Sequence, residues 1–391
     1  KKEKNMTRIT LLSPTPPLLF QKINIFSINY QTMKNTLLYL FAFLCITIGH
    51  AQMDKDLLKD IESIEPKVID WRHYFHQNPE LSNREFNTAK KIEAHLKSLG
   101  LEVQTGVAIT GVAAILMGVA EVLSKHRDKI KGTIKFIFQP AEEGPPPGEE
   151  GGAKLMIKEG VLKNPDVDVI FGLHINSGTP VNTIKYKSGG TMAAVERFVV
   201  TVKGKQTHGS APWTGVDPIL ISAKIIDGFQ TIISRESPLV DEAAVITVGI
   251  TAGVRFNIIP ESAEMIGTVR TLDPNMRDMI IRRMTEMARD IAKAYGGEAT
   301  IEWQNNTVVT YNDPDLTAKM LPTLEAIAGK DNVSTMKATT GGEDFSYFQE
   351  IVPGFYFFLG GMTPGNTKAF PHHTPDFQVD DAGMLLGVKA M

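Results

Sequence analysis

Between Ala194 and about Gln304 the chain reads as six elements in a fixed order, and that order leaves few folds open. Residues 198–202 alternate apolar and polar side chains, 217–235 carry helical spacing, and 244–250 and 263–270 alternate again. A helix over 274–295 and a last strand over 299–303 complete the series. β-α-β-β-α-β is the ferredoxin-like split motif, and a stretch of about 110 residues suffices for one small domain.

An α/β pattern lies on both sides of it. Helices are predicted over 66–78, 84–99 and 113–123. In the second, Phe86, Ala89, Ile92, Leu96 and Leu99 share a face, and Gly100 stands where a left-handed helix end needs glycine. Short apolar stretches at 101–104, 134–138, 167–173 and 355–361 read as strands. Strands alternating with helices predict an α/β domain whose sheet is covered by helices. The expected organisation is one discontinuous large domain, 53–193 with 305–391, carrying an inserted α+β domain over 194–304.

The segment "MKNTLLYLFAFLCITIGHAQ" has a lysine after Met33, an apolar run over 37–48 and small residues, Gly49 and Ala51, before Gln52. This is a secretory signal pattern, with an apolar run too short for an ordinary membrane span. It predicts a signal peptide over 33–51, with 1–32 upstream of the true start. Export to a periplasm or the medium follows, with no membrane association once the signal is removed. The single cysteine, Cys45, leaves with that signal, so the mature chain relies on its core rather than on disulfides. A net charge of −3 gives no basic footprint for nucleic acid.

The chemistry gathers around "FQPAEEG", where Glu142 and Glu143 follow the apolar alternation of 134–138. Ligand-bearing loops of such sheets collect at the carboxyl ends of strands. His174 follows another apolar run, and His373 lies in a loop after 355–361. A carboxylate and two imidazoles are ligand types that zinc takes in hydrolytic sites, leaving the adjacent Glu free to take a proton from water. On pattern alone, a solvated acidic pair explains the same residues. His73, His76, His95 and His126 read as surface or capping side chains, and Glu343 and Asp344 of "GGEDF" as residues that order a loop.

Several further motifs fall in order: "RHYFHQNPELSNREFNTAKKI", "GLHINSGTPVN", "GKQTHGSAPWTGVDPI", "FNIIPESAEMIGTVRTLD", "GGEDFSYF", "VPGFYFFLG" and "HHTPDF". Together with "FQPAEEG" they resemble the zinc amidohydrolases and peptidases typified by aminoacylase, hippurate hydrolase and the hydrolases of indole-acetyl amino-acid conjugates. The resemblance runs from about Ile69 to the last residue. It implies a mixed-sheet metallopeptidase domain with helices on both faces and a ferredoxin-like lid or dimerisation domain. It also implies Glu142 as general base, Glu143, His174 and His373 as metal ligands, and His208 and Asn257 as substrate-binding residues. Two divalent ions per subunit, zinc or manganese, an N-acyl amino acid or related conjugate as substrate, and a homodimer through the lid are implied in the same way.

One motif of that family is missing. A Cys-Gly-His-Asp type segment is expected before the helix at 113–123, yet no cysteine or histidine lies between Gly100 and His126. The resemblance therefore predicts an internal deletion at about Gly111 to Ala113, and weak or absent activity. A non-catalytic small-molecule binding or dimerisation protein is the alternative, and a dipeptidase on the same scaffold another.

Overall fold

The computed structural model describes residues 54–106, 113–238 and 244–391; the expected signal peptide, the residues before it and the expected break at Gly111 lie outside them. Three helices come first, α1 (Lys55–Gln77), α2 (Phe86–Ser98) and α3 (Ala113–Lys125), followed by α4 (Gly152–Lys158). Strands β1 (Ile170–Pro180), β2 (Ile184–Tyr186) and β3 (Gly189–Met192) lead to β4 (Ala194–Lys203) and β5 (Thr207–His208). Then come α5 (Pro218–Thr231), β6 (Ala244–Ala252), β7 (Ile258–Ile259), β8 (Ser262–Thr271), α6 (Pro274–Ala294) and β9 (Glu298–Thr307). The last elements are β10 (Thr310–Asn312), α7 (Pro314–Ala328), β11 (Val333–Thr335), α8 (Ser346–Gln349), β12 (Gly354–Met362) and α9 (Met384–Ala390).

Strand β12 is the centre of the larger sheet, whose order is β1-β12-β2-β11. It runs parallel to β1 and antiparallel to β2, so the sheet is mixed. Every residue from Gly354 to Gly361 is buried, as expected of a strand covered on both faces. Phe355, Phe357 and Leu359 pack on one face with Ile61, Ile64 and Val68 of α1 and Ile115 and Val119 of α3. Tyr356 and Phe358 pack on the other face with Met156 of α4 and Phe348 of α8.

The second sheet has the order β6-β8-β4-β9, all antiparallel, with α5 and α6 against it. Phe198, Phe229, Ile225, Met265 and Ile280 form its core. Its helices start on an Asp-Pro pair, and so does α7. Asp217 accepts hydrogen bonds from Ile219 and Leu220 N–H, Asp273 from Met276 and Asp313 from Leu316. Each aspartate fills an orphan donor of the first turn, and the proline behind it has no N–H to lose.

Three expectations are corrected. Helix α1 begins at Lys55, capped by Asp54, and runs through Pro66, because its buried seam of Ile61, Ile64 and Val68 continues across the proline. The stretches 101–104 and 134–138 are not strands: no ladder partner lies beside either among the described residues. His174 is inside β1, opposite Phe358, rather than at its end, because the strand continues to Pro180. Since Phe357 is 1% exposed at the sheet centre, Phe357→Ala is expected to lower unfolding stability by about 3–5 kcal/mol, read from urea unfolding.

Candidate functional site

The two neighbouring glutamates point to different places. Gly144 N–H donates to Ala141 O at 3.0 Å, closing a turn around the pair, and Ala141 itself has φ +48°. Glu142 is half-buried and lines a cavity of about 730 Å³ together with His174 and Glu343. Glu143 is exposed, with its Oε1 3.8 Å from His373 Nδ1.

Positive φ is uncommon outside glycine and best tolerated by asparagine. Five described non-glycine residues have it: three are asparagines, and the other two are Ala141 and His373. Both border the acidic loop, where local strain is held by the surrounding structure.

Around Glu142 the charge is all of one sign. Glu142, Glu343 and Asp344 each offer a carboxylate oxygen within 4.8 Å of the others. Tyr356 OH donates to Glu343 at 2.6 Å, Phe345 N–H donates to its other oxygen at 3.2 Å, and Ala153 N–H donates to Asp344 at 2.8 Å. Gln139 Nε2 donates to the second oxygen of Asp344. Burial, and then the charge of Glu343, push the Glu142 carboxyl up to about 9. Burial likewise raises Asp344 to about 7 and the Tyr356 phenol well above its ordinary value. Burial among like charges therefore favours the protonated form of Glu142 in this arrangement.

His174 Nδ1 donates to the carbonyl of Ile175, which leaves Nε2 as the free lone pair, the tautomer a ligand histidine needs. Its ring lies 5.3 Å from that of His372, and the ring of His372 lies 6.5 Å from that of His373. His372 Nε2 accepts the N–H of Ser177 at 3.2 Å. Burial first, then the neighbouring His174 and His373, lower its pKa.

Carboxylate and imidazole are suitable donors for a divalent ion. Of the three expected ligands, the structure brings Glu143 and His373 together and leaves His174 beside His372. Among the described residues these three do not converge on one centre; the group that does is Glu142, Glu343 and Asp344. The expected set of Glu143, His174 and His373 thus does not fit a shared metal ion in this arrangement. Asn257 and His208, 49 positions apart, meet on a small ribbon, where β5 pairs with β7 and Gly209 N–H donates to Asn257 O at 2.8 Å. His208 is exposed, and its Nδ1 accepts the N–H of Ser210 at 3.2 Å.

Sequence reasoning read Glu343 and Asp344 only as residues that order a loop, and it gave no role to Tyr356 or His372. The available signal was the second acidic pair in "GGEDF", which mirrors the pair in "AEEG". The histidines set aside are less bland than expected: His126 is buried and meets Asp60 at 2.8 Å, and the His95 ring packs edge-on against Trp71.

A family model described as peptidase family M20/M25/M40 matches residues 102–391. The chain belongs to this family. M20 relatives include thermostable carboxypeptidase 2 of Saccharolobus solfataricus, 33% identical over 85% of this chain and 96% of that protein. N-acetylcysteine deacetylase of Bacillus subtilis is 31% identical over 83% of this chain and 95% of that protein. A solved structure, the YXEP protein of Bacillus subtilis, described as a dinuclear metal binding peptidase of the M20 family, covers 84% of this chain and 96% of its own. It superposes with a TM-score of 0.67 at 28% identity. This M20 chain thus belongs to a hydrolase family whose members act on amide bonds and bind paired divalent metals. The alignment with the carboxypeptidase spans 384 positions but takes in 85% of 391 residues, about 332, so about 50 aligned positions have no residue here.

The folded protein holds the Glu142 proton more tightly than an unfolded chain, in which Glu titrates near 4.5. Stability contributed by this group is therefore full below about 4.5 and is lost as pH rises towards about 9. Glu142→Gln keeps the shape of the protonated acid. Its thermal midpoint is expected to fall less steeply than that of the unsubstituted protein over this range, followed by circular dichroism.

Proposed function

We propose that this chain is an exported amidohydrolase of N-acyl amino acids or related conjugates whose metal centre is incomplete, so that its own turnover is weak or absent. The observation that carries the reading is the placement of the expected ligands. Glu143, His174 and His373 do not gather on one centre among the described residues, and Glu142 sits instead beside Glu343 and Asp344. The lack of any cysteine or histidine between Gly100 and His126, where the resemblance places a bridging cysteine and a further histidine, supports a deletion near Gly111. With zinc or manganese added, hydrolysis of N-acetyl and N-benzoyl amino acids is expected to be weak or undetectable, with fewer than two ions retained per chain by mass spectrometry. Robust turnover with two bound ions would overturn the proposal. Turnover confined to dipeptides would mean a dipeptidase instead.

The same geometry favours a second reading, a non-catalytic protein that binds such conjugates or pairs with itself. Around the ribbon of His208 and Asn257, Trp213 is 80% exposed, Val254 96% and Phe256 fully so. Large apolar side chains grouped in this way suit a partner surface, and a homodimer through the 194–304 region is the partner we infer. Phe256→Asp is then expected to shift the protein from dimer to monomer in sedimentation. An unchanged mass would remove this face from consideration.

A further inference from the structure

The residues that end the connection between α1 and α2 hold a loop at both of its ends. Residues 141–151 leave and return at one neck: a Cβ built on Gly151 would stand 2.9 Å from Asn83 Oδ1 and 3.2 Å from Ala141 Cβ. Compact surface loops with close ends are ordered by what packs there. At the later end, Asn83 Nδ2 donates to Glu150 O at 2.9 Å, and the Arg84 guanidinium pairs with Glu149 at 2.5 Å. At the earlier end, Glu85 Oε1 accepts the N–H of Ala141 at 3.2 Å.

These clasps differ in character. Arg84 and Glu149 are both exposed, and such a pair contributes little. Glu85 is 5% exposed, and its Oε2 has no hydrogen-bond partner among the described residues. Burying an acid in this way is costly, so the N–H that its other oxygen holds is the point to explain. That N–H belongs to Ala141, which follows Pro140 and has φ +48°. Alanine keeps a left-handed backbone only where its surroundings impose it. Gly144 N–H closes the turn on Ala141 O, and Pro145, Pro146 and Pro147 limit how the rest of the loop can adjust. Between them Glu142 is half-buried and Glu143 exposed.

We propose that Glu85 is the positioning residue of the acidic turn: by holding the Ala141 N–H it keeps Ala141 left-handed, and so sends Glu142 into the cavity and Glu143 to solvent. Without that acceptor Ala141 relaxes to an ordinary negative φ, the turn opens, and the two glutamates no longer diverge. Glycine at 141 needs no such hold, because it takes positive φ at no steric cost. This role rests on Glu142 and Glu143 being the acids of the proposed site but on no turnover, so a substrate assay that overturns that function leaves it standing.

Three variants of the full chain test it, through crystal structures and amide hydrogen exchange in solution. Glu85→Ala is expected to bring Ala141 to negative φ and to speed exchange at Gly144 about tenfold. Glu85→Gln keeps an oxygen that can accept the same N–H; it is expected to retain the positive φ and to exchange within about threefold of the unsubstituted protein. Glu85→Ala combined with Ala141→Gly is expected to recover the closed turn, which a mere loss of packing at Glu85 would not allow. Should Glu85→Ala not fold, the unsubstituted protein decides: its Ala141 amide is expected to be protected at least about tenfold more than that of Gly148, exposed in the same loop. The proposal is overturned by a Glu85→Ala protein that keeps the positive φ, by Glu85→Gln opening the turn as Glu85→Ala does, by a combined variant whose turn stays open, or by an Ala141 amide no better protected than Gly148.

Discussion

Burial of β12 on both faces and both edges is the constraint from which the larger domain is built. A strand whose residues from Gly354 to Gly361 are all buried must find helices above and below it and hydrogen-bonded neighbours on either side. Helices α1, α3 and α9 answer one face, α4 and α8 the other, and β1 and β2 the edges. Tyr356 extends this to the site: its backbone is part of the ladder, and its hydroxyl fixes Glu343 beside Glu142. Core and acidic cluster share one residue, so the cluster is as rigid as the strand that supports it.

That coupling gives the adjacent glutamates their different characters. A turn with Ala141 and Gly144 both at positive φ sends Glu142 inward, against two other carboxylates, and leaves Glu143 in solvent near His373. Of two identical side chains one residue apart, one has been taken out of water among like charges, which favours its protonated form, and the other stays in solvent. Burial favours protons on Glu142, Asp344 and Tyr356, and a bound cation would offset the same crowding of carboxylates in another way.

Much of this was legible in the chain. The β-α-β-β-α-β order of the smaller sheet came from alternation and helical spacing, and Asp217-Pro218 and Asp273-Pro274 marked helix starts that the capping bonds confirm. Gly100 ends α2 with φ +66°, as its position required. The run 134–138 misled because alternation reports which faces are covered and says nothing of whether a neighbour pairs along the edge. Residues 135–138 are partly buried, and no strand pairs with them among the described residues. Glu343 and Asp344 lie about 200 residues from Glu142 in sequence, and local pattern has no term for such a meeting. The resemblance singled out His373 over its neighbour His372, and the left-handed backbone at His373 accompanies the placement of its ring near Glu143 with His372 beside His174.

The chain order of the two sheets bears on how the protein is made. All four strands of the smaller sheet lie within 194–307, whereas β1 waits for β12, which is translated about 180 residues later. On a ribosome, the inserted domain can collapse while the strand before it still lacks β12, its one partner among the described residues. Non-local parallel pairing is slow in any case, and an exposed apolar edge during that wait invites capture by other nascent chains. The time taken to translate the stretch between β1 and β12 therefore sets how long that edge stays exposed.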